Sequence, residues 1–233
     1  MKVEQEQVGK RFEGESLARW NRRLNRRHSQ EDLLRGSLLV RAAERRRRAV
    51  LRRLVDRSRQ GKPDPIVVDV GCGSSLFHHC LPAGARLIRV DIDDEVLRGL
   101  PAHPGVAQVA SDGARLPLPD GSVDLVVLSA ILEHAPDPDA LLGEVHRVLR
   151  RGGSLVVCVP YDRAVLLAKR IIAFCGVARF FRGIHPGLAP GHLHVFSARR
   201  LRARLGSLGR PIFFLDPISL CLYARLDVDR TGA

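Results

Sequence analysis

Aromatic residues, paired cysteines and long apolar runs are scarce in this 233-residue sequence. Aromatic side chains make up 5% of the chain and Trp20 is the only tryptophan, so the stacking platforms typical of single-stranded nucleic-acid binders are missing. The five cysteines form no C-x-x-C pair and have no histidines at zinc spacing. This pattern predicts no metal site and indicates reduced thiols in a cytoplasmic protein.

No segment of the sequence has the length and apolar character of a membrane span. The longest apolar stretch, residues 164–177, is interrupted by Lys169 and Arg170 and is too short to cross a bilayer. The first residues, MKVEQEQVGKRFEG, contain no apolar h-region, so we expect no secretory signal peptide. The apolar residues of 162–182 favour burial in the core over a lipid-binding face, although peripheral contact with a membrane stays open.

Positive charge is concentrated near the N-terminus. The net charge is +13, and residues 1–60 alone hold 18 Lys and Arg against 8 Asp and Glu. A basic helical face of this kind follows the phosphates of nucleic acid or anionic lipid, or is simply solvated. Apolar residues at helical spacing predict helix within residues 15–59, and the Gly- and Pro-containing segment 60–65 ends it. We therefore expect a basic helical extension over residues 1–62 and a main domain over residues 63–233.

Beyond residue 65, short branched-apolar runs alternate with helical patterns. Strands are predicted at 66–70, 86–91, 106–111, 123–129, 154–159, 211–216 and 219–226. Helices are predicted near 74–81, 94–100, 138–150, 162–182 and 197–206. Runs that are apolar on both faces are typical of a parallel sheet covered by helices, and the short link between the last two strands forces an antiparallel hairpin. The fold class is therefore α/β: a doubly wound, seven-stranded, mostly parallel sheet of Rossmann-like type, with a C-terminal antiparallel hairpin and an N-terminal helical extension.

Polar residues and glycines follow four consecutive predicted strands at their carboxyl ends. In a doubly wound sheet, ligands bind beyond this edge, so it is the predicted ligand site. The residues concerned are Asp69, Gly71 and Gly73 after the first strand, Asp91 and Asp93 after the second, Ser111 to Gly113 after the third, and Ser129 to His134 after the fourth.

The glycine loop VVDVGCGSS, residues 67–75, is poorly suited to a pyrophosphate. A dinucleotide loop needs a third glycine where this chain has Leu76, and the carboxylate of Asp69 would repel phosphate. Asp91 lies 20 residues after Gly71, which is the spacing at which an acid binds a ribose hydroxyl. An adenosine ligand with a cationic centre, such as S-adenosylmethionine (SAM), fits this pattern better than a dinucleotide does.

The motifs along residues 66–226 resemble those of class I SAM-dependent methyltransferases, in the broad group that includes quinone and other small-molecule methyltransferases. The resemblance rests on VVDVGCGSS, on VDID after the second strand, on residues 111–160 with D-x-x-x-L-P, L-E-H and R-V-L-x-x-G-G, and on GHLHVFSARRLRARL at 191–205. It implies an enzyme that moves a methyl group from SAM by in-line displacement to a small-molecule or lipid-like acceptor, through O, N or C. Ser75 departs from the family pattern, in which a glycine is common.

The resemblance also implies which residues contact the cofactor. Asp69, Gly71 and Gly73 would line the methionine and ribose part of SAM, and Asp91 would accept hydrogen bonds from both ribose hydroxyls. The other predicted cofactor residues are Cys72 and Ile92 beside these, Asp112 at the adenine amino group, Gly113 and Ala114 along the ring, and Ser129 below the sulfonium.

Four further residues are expected on the acceptor side of the cofactor. His134 is the candidate base if the acceptor must lose a proton, with Glu133 beside it, and the alternative for this pair is to order the loop. His192 and His194 are expected beside the substrate, or are ordinary loop histidines.

The basic N-terminus leaves alternatives for the function. The resemblance favours a lid that covers the cofactor and shapes the acceptor pocket. The first rival is an RNA-directed methyltransferase that uses the basic segment, although the chain reads SAILEH where an amino-methylating enzyme has N-P-P-Y. The second rival is a binding protein without enzymatic activity on the same fold.

Overall fold

The computed structural model describes residues 17, 19, 20, 22, 38–58, 61–73, 84–174 and 192–228. Within these residues the strands are β1 (Ile66–Val70), β2 (Arg86–Asp91), β3 (Val106–Ala110), β4 (Val123–Ser129), β5 (Leu149–Pro160), β6 (Ile212–Asp216) and β7 (Cys221–Asp227). The helices with complete bounds are α1 (Leu38–Ser58), α2 (Asp94–Gly99), α3 (Pro138–Val148), α4 (Asp162–Phe174) and α5 (Ala198–Leu205). The predicted helix at 74–81, the predicted departure at Ser75 and the rest of the predicted helix beyond residue 174 lie outside the described residues.

The described strands form one sheet in the order β3-β2-β1-β4-β5-β7-β6. Strands β1 to β5 are parallel, and β7 is antiparallel to both β5 and β6. Strand β1 pairs with β2 on one side and with β4 on the other, so the strand order reverses between β1 and β4. The predicted doubly wound, mostly parallel sheet is confirmed.

Continuous apolar runs place the central strands inside the molecule. The four residues Leu125 to Leu128 of β4 are fully buried, although successive side chains of a strand point to opposite faces. Both faces of the sheet must therefore be covered, which is the usual situation of parallel strands. One face packs against α1 through Val50 and Leu54, and the other packs against α3 and α5 through residues such as Val145 and Leu201.

Helix caps explain where two of the covering helices begin. The side chain of Asp137 accepts hydrogen bonds from the backbone N–H groups of Asp139 and Ala140 and so caps α3. The Ser197 side chain accepts one from the N–H of Arg200 and caps α5. Among the described residues, no helix combines the length and the apolar character needed to cross a membrane.

The junction between α3 and β5 differs from the prediction. The sequence places the helix over 138–150 and the strand over 154–159, whereas α3 ends at Val148 and β5 begins at Leu149. Leu149 pairs with Val123 of β4 before the register shifts, so the strand is twelve residues long. Two arginines and two glycines after Leu149 read as a helix end, yet their backbone continues as strand.

The predicted C-terminal hairpin is confirmed, and a carboxylate closes it. Asp216, the last residue of β6, pairs with Cys221 at the start of β7. The Asp216 side chain accepts hydrogen bonds from the backbone N–H of Ser219 (2.8 Å) and from its hydroxyl (2.6 Å). These bonds fix the tight turn, in which Leu220 adopts a positive φ of 52°.

Helix α1 is tied to the sheet by its basic residues as well as by its apolar face. Arg46 donates to Asp216 at 2.9 Å, and Ser58 at the helix end accepts a hydrogen bond from Arg225 of β7, also at 2.9 Å. Part of the N-terminal positive charge is therefore paired with a carboxylate of the protein itself. The division into an extension over 1–62 and a main domain over 63–233 stays a prediction.

The central strand provides a test of this packing. We expect Leu125→Ala to lower the free energy of unfolding by about 2–5 kcal/mol, because a fully buried side chain leaves a cavity. The matched control is Ile212→Ala on edge strand β6, whose side chain is 66% exposed, and its change should stay within about 0.5 kcal/mol. Chemical denaturation followed by circular dichroism measures both. Equal losses in the two variants would contradict the placement of β4 at the centre of the sheet.

Candidate functional site

The carboxyl ends of β1 to β4 lie side by side because these strands are parallel and adjacent. We call this region the carboxyl edge. It includes the strand-order reversal between β1 and β4, where ligands of doubly wound sheets bind. The structure brings the predicted cofactor residues to this edge, on the four strand ends and the loops that follow them.

The loop after β1 is folded back onto β2 by backbone hydrogen bonds. The N–H groups of Gly71 and Cys72 both donate to the carbonyl of Val90, at 2.8 and 3.0 Å. Gly71 and Gly73 adopt positive φ values of 68° and 51°, which glycine accepts most readily. Asp69, two residues earlier, is buried on β1 in register with Arg89 of β2.

Asp91 connects the loops after β1 and β2. One carboxylate oxygen accepts the N–H of Gly73 at 2.8 Å, and the other accepts the N–H of Asp93 at 2.9 Å. Burial raises the pKa of Asp91, and the two backbone N–H groups oppose that rise. The half-buried Ile92 lies between these two aspartates.

The thiol of Cys72 lies in the same small region. Burial raises the pKa of Cys72, and the nearby carboxylates of Asp69 and Asp91 raise it further. The thiol therefore stays protonated and behaves as a small apolar group. The charges of Asp69 and Asp91 thus act on Cys72, and all three residues are predicted to contact the cofactor.

Asp93 links this region to the N-terminal residues. Its side chain caps α2 by accepting the N–H of Glu95 at 3.1 Å. Arg22, which is in helical conformation, contacts the carboxylates of Asp93 and Asp94 at 3.2 Å each and that of Glu95 at 2.9 Å. A residue near the N-terminus therefore contacts three carboxylates that follow Asp91, the predicted ribose-binding residue, by two to four positions in the sequence.

The turn after β3 is close-packed. Ser111 donates its N–H to the carbonyl of Asp91 at 2.9 Å, and the Asp112 side chain accepts the N–H of Ala114 at 3.0 Å. A Cβ atom on Gly113 would approach Leu141 to 2.4 Å, so only glycine fits there without repacking. The Asp112 side chain is exposed, which leaves it accessible to a ligand.

The loop after β4 reaches back over the glycine loop. Ser129 ends the strand half-buried, and Ala130 follows with a positive φ of 59° and donates its N–H to the carbonyl of Cys158. A non-glycine residue in this region of backbone space is uncommon and strained. The side chain of Ile131 fills the space where a Cβ atom on Gly71 would stand.

Glu133 is the most unusual side chain of the site. It is 1% exposed, and neither of its carboxylate oxygens has a hydrogen-bond partner among the described residues. Burial raises its pKa to about 7, while the nearby His192 lowers it. Its backbone carbonyl accepts the N–H groups of Leu193 (2.7 Å) and His194 (3.1 Å), which holds the segment 192–196 against the end of β4.

Two histidines stand next to Glu133. The rings of His134 and His192 meet edge to face, with centroids 5.1 Å apart. The Nδ1 atom of His192 lies 3.0 Å from a carboxylate oxygen of the buried Asp162, at the start of α4. Glu133, His134 and His192 each bring one potential metal-ligating atom to within 4.8 Å of the others, so this group can hold a cation.

His194 has a different environment from His192. Its Nε2 atom lies 3.0 Å from the backbone carbonyl of Ala135, and its ring packs near Phe196 with centroids 6.3 Å apart. The ring is buried, so it supports the loop next to Glu133. A substrate contact for His194 stays a prediction.

Sequence reasoning missed Asp162, Ile131 and Arg22. Asp162 lies just beyond the carboxyl end of β5, so the rule that directed attention to the first four strands also applies to it. Ile131 reads as an ordinary apolar residue, and no local pattern relates Arg22 to residues more than seventy positions away.

The central part of the chain is similar to known methyltransferases. Residues 68–157 match a family described as methyltransferase domain. A demethylmenaquinone methyltransferase of Streptomyces avermitilis is 33% identical over 113 residues, which make up 47% of this chain and 48% of that protein. A malonyl-[acyl-carrier protein] O-methyltransferase of Hahella chejuensis is 37% identical over 109 residues, covering 44% and 39% of the two chains. The chain thus spans less than half of the length of these curated relatives.

Solved structures give the same picture of the fold. The N-methyltransferase NodS of Bradyrhizobium japonicum, solved with S-adenosyl-L-homocysteine, matches 80% of this chain and 87% of that chain. The TM-score is 0.56 and the identity is 18%, which shows likeness of fold alone. Together with the family match, these findings confirm the resemblance to class I SAM-dependent methyltransferases.

Gly71 and Gly73 provide a test of how tightly the site is packed. Alanine at either position strains a positive φ by about 1–2 kcal/mol, but only at Gly71 does the new Cβ atom approach Ile131, at 2.5 Å. We expect Gly71→Ala to lower the free energy of unfolding by about 1–3 kcal/mol more than Gly73→Ala. Thermal or chemical unfolding measures this difference.

The double variant Gly71→Ala/Ile131→Ala identifies the cause of that difference. Because the Ile131 side chain creates the crowding, Gly71→Ala should cost less in the Ile131→Ala background than in the wild type. An unchanged cost would show that the two loops are not in contact.

Proposed function

We propose that this chain, whose residues 68–157 match a methyltransferase domain family, transfers a methyl group from SAM to a small-molecule or lipid-like acceptor. The acceptor atom is O, N or C. The cofactor supplies an activated methyl group, and the sulfonium becomes the thioether of S-adenosylhomocysteine when the methyl group leaves. The protein aligns the acceptor with that group and excludes water.

The buried Asp91 carboxylate is the observation that carries this proposal. Each of its oxygens accepts one backbone N–H, and a carboxylate offers about four acceptor sites in total. Acceptor capacity therefore remains for ribose hydroxyls, with the N–H of Ile92 also acting on this carboxylate. We assign the remaining cofactor contacts to Asp69, Gly71, Cys72, Gly73, Ile92, Asp112, Gly113, Ala114 and Ser129.

The positive groups of SAM match the negative charge of a buried carboxylate at the site. SAM has no pyrophosphate but carries a positive sulfonium and an ammonium group. The buried carboxylate of Asp69 near the glycine loop suits a cation and opposes a phosphate. This charge argument supports SAM over a dinucleotide at the same loop.

We assign Glu133, His134 and His192 to the acceptor side of the cofactor, with His194 beside them. These residues follow β4 or pack against its end, across the carboxyl edge from Asp91. An acceptor that loses a proton during transfer requires a polar group at this position, and the two imidazoles are the candidates.

The N-terminal residues are proposed to form a lid over the site. Arg22 contacts three carboxylates around the start of α2, and Trp20 is buried. The contacts of Arg22 support a position for part of the N-terminal extension beside the proposed ribose site. RNA as the acceptor remains the alternative, and the cytoplasmic location indicated by the cysteines stays a prediction.

Asp91 provides the direct test of cofactor binding. We expect Asp91→Ala to weaken binding of S-adenosylhomocysteine in calorimetry, because each lost hydrogen bond contributes about 0.5–1.5 kcal/mol. The control is Asp120→Ala, an aspartate in the turn before β4, at the opposite edge of the sheet, whose side chain is exposed and bound to Arg147. Its affinity should match that of the wild type.

A ligand lacking one hydroxyl separates direct contact from loss of loop structure. The wild type should bind 2′-deoxy-S-adenosylhomocysteine less tightly than the parent compound, whereas Asp91→Ala should bind the two equally. If both proteins discriminate to the same degree, the ribose lies elsewhere. No binding of either compound by a folded wild type would reject the cofactor assignment.

The acceptor side has its own test. The methyl acceptors to try first are demethylmenaquinone and malonyl-[acyl-carrier protein], after which two relatives are named, with total RNA as the alternative. With radiolabelled SAM and an acceptor that is methylated, His134→Ala should lower turnover while leaving affinity for S-adenosylhomocysteine unchanged. Unaltered turnover would return His134 to a loop-ordering role, and methylation of RNA alone would favour the rival function.

A further inference from the structure

Glu133, His134 and His192 form a compact group of metal-ligating side chains, which we call the Glu133 cluster. One potential ligand atom from each residue lies within 4.8 Å of the other two. The sequence predicts no metal site, because cysteine spacing gives no zinc motif and His192 lies far along the chain from the other two residues. The fold brings them together through the hydrogen bonds from Leu193 and His194 to the Glu133 carbonyl.

The buried carboxylate of Glu133 needs a partner that the described residues do not provide. Both of its oxygens are inaccessible to solvent and without a hydrogen bond there. Burying an ionised carboxylate without a partner is costly, and such groups pair with a cation or coordinate a metal. A second buried carboxylate oxygen, Oδ2 of Asp162, is also without a partner in the described part of the chain.

Asp162 orients the ring of His192 through a hydrogen bond, as carboxylates do for metal-ligating histidines. Because a carboxylate oxygen accepts, the Nδ1–H of His192 donates to Asp162 at 3.0 Å, and Nε2 is the ring nitrogen assigned to the metal. Metal-ligating histidines almost always donate their other N–H to a carboxylate, a carbonyl or water. Both side chains are nearly inaccessible to solvent.

The charge around the cluster also favours a cation. Two buried carboxylates, Glu133 and Asp162, lie in this small region beside the imidazoles of His134 and His192. Arg47 is the cation that acts on Glu133 from α1, and it is already bound to Glu44 at 2.8 and 3.1 Å. His194 is a poor ligand candidate, since its Nε2 lies against the Ala135 carbonyl.

We propose that Glu133, His134 and His192 bind a divalent transition-metal ion of the zinc type. Two imidazoles and one carboxylate form a donor set that suits Zn²⁺ better than Mg²⁺, which prefers oxygen ligands. Ligand atoms around tetrahedral zinc lie about 3.3–3.4 Å apart, so any two of the three groups would approach by at most about 1.4–1.5 Å from their separation of up to 4.8 Å. Three protein ligands leave a fourth position open.

The open position defines the class of acceptor that the site takes. In this step, which rests on the proposed methyl transfer, the acceptor coordinates the ion through an oxygen atom such as a hydroxyl. An ion held there would lower the pKa of a bound hydroxyl, whose proton would leave to solvent before the oxygen accepts the methyl group. Within this proposal His134 and His192 act as metal ligands and not as bases, and an oxygen acceptor is the option favoured among O, N and C.

The test is a metal titration of the full chain. Metal is first removed from the protein with EDTA. One sample is then titrated with Zn²⁺ in a calorimeter, and a separate sample is titrated with Mg²⁺. We expect the wild type to bind one Zn²⁺ that is absent in Glu133→Gln and in His192→Gln. Asp162→Ala should bind that ion about 10–100-fold more weakly, which is the usual effect of losing an outer carboxylate.

A control variant and a spectrum exclude trivial explanations. His103→Gln changes an exposed histidine before β3, at the opposite edge of the sheet, and should bind Zn²⁺ like the wild type. Co²⁺ bound at the cluster should give visible bands without the sulfur-to-metal charge transfer that cysteine ligation produces. Circular dichroism reports whether each variant is folded.

Three outcomes overturn the proposal. The first is that the wild type and both ligand variants bind zinc with equal stoichiometry and affinity. The second is a cobalt spectrum that shows sulfur-to-metal charge transfer. The third is that the wild type binds Mg²⁺ as tightly as Zn²⁺. Titration of the same samples with S-adenosylhomocysteine keeps the two proposals apart. A wild type that binds zinc but not this ligand contradicts the proposed function alone, and the reverse result contradicts the metal site alone.

Discussion

The two hydrogen bonds to the buried Asp91 carboxylate are the constraint on which the rest of the site depends. They join the loop after β1 to the loop after β2, so neither loop can shift without the other. The parallel register of β1 with β2 sets where that carboxylate stands, and the bonds from Gly71 and Cys72 to Val90 reinforce it. Sheet packing therefore determines the position of the proposed ribose site, and loop residues determine its chemistry.

Much of the fold could be predicted because parallel strands buried on both faces leave continuous apolar runs such as that of β4. The start of β5 could not, since Leu149 is paired by distant Val123 while its neighbours resemble a helix end. The same distinction applies to the site. Strand ends pointed to Asp91, whereas Asp162 meets His192 across 30 residues, and no local periodicity encodes such a contact.

The net charge overstates how many of the N-terminal arginines are available to bind a polyanion. Arg22 is engaged by three carboxylates, Arg46 by Asp216 and Arg47 by Glu44. These pairs are part-buried, and those of Arg22 and Arg46 join the N-terminal residues to α2 and to the end of β6. These two arginines therefore act as internal connectors, which a count of charges in the sequence cannot reveal.

The carbonyl of Glu133 accepts two backbone N–H groups, and this has a consequence for mutation. The bonds use main-chain atoms of Leu193 and His194, so replacing either side chain, other than by proline, leaves both donors in place. The path of the backbone next to His192 is thus set independently of the two side chains that follow it. Changes at those two positions can therefore alter the surface of this loop without moving the imidazole of His192 away from Glu133.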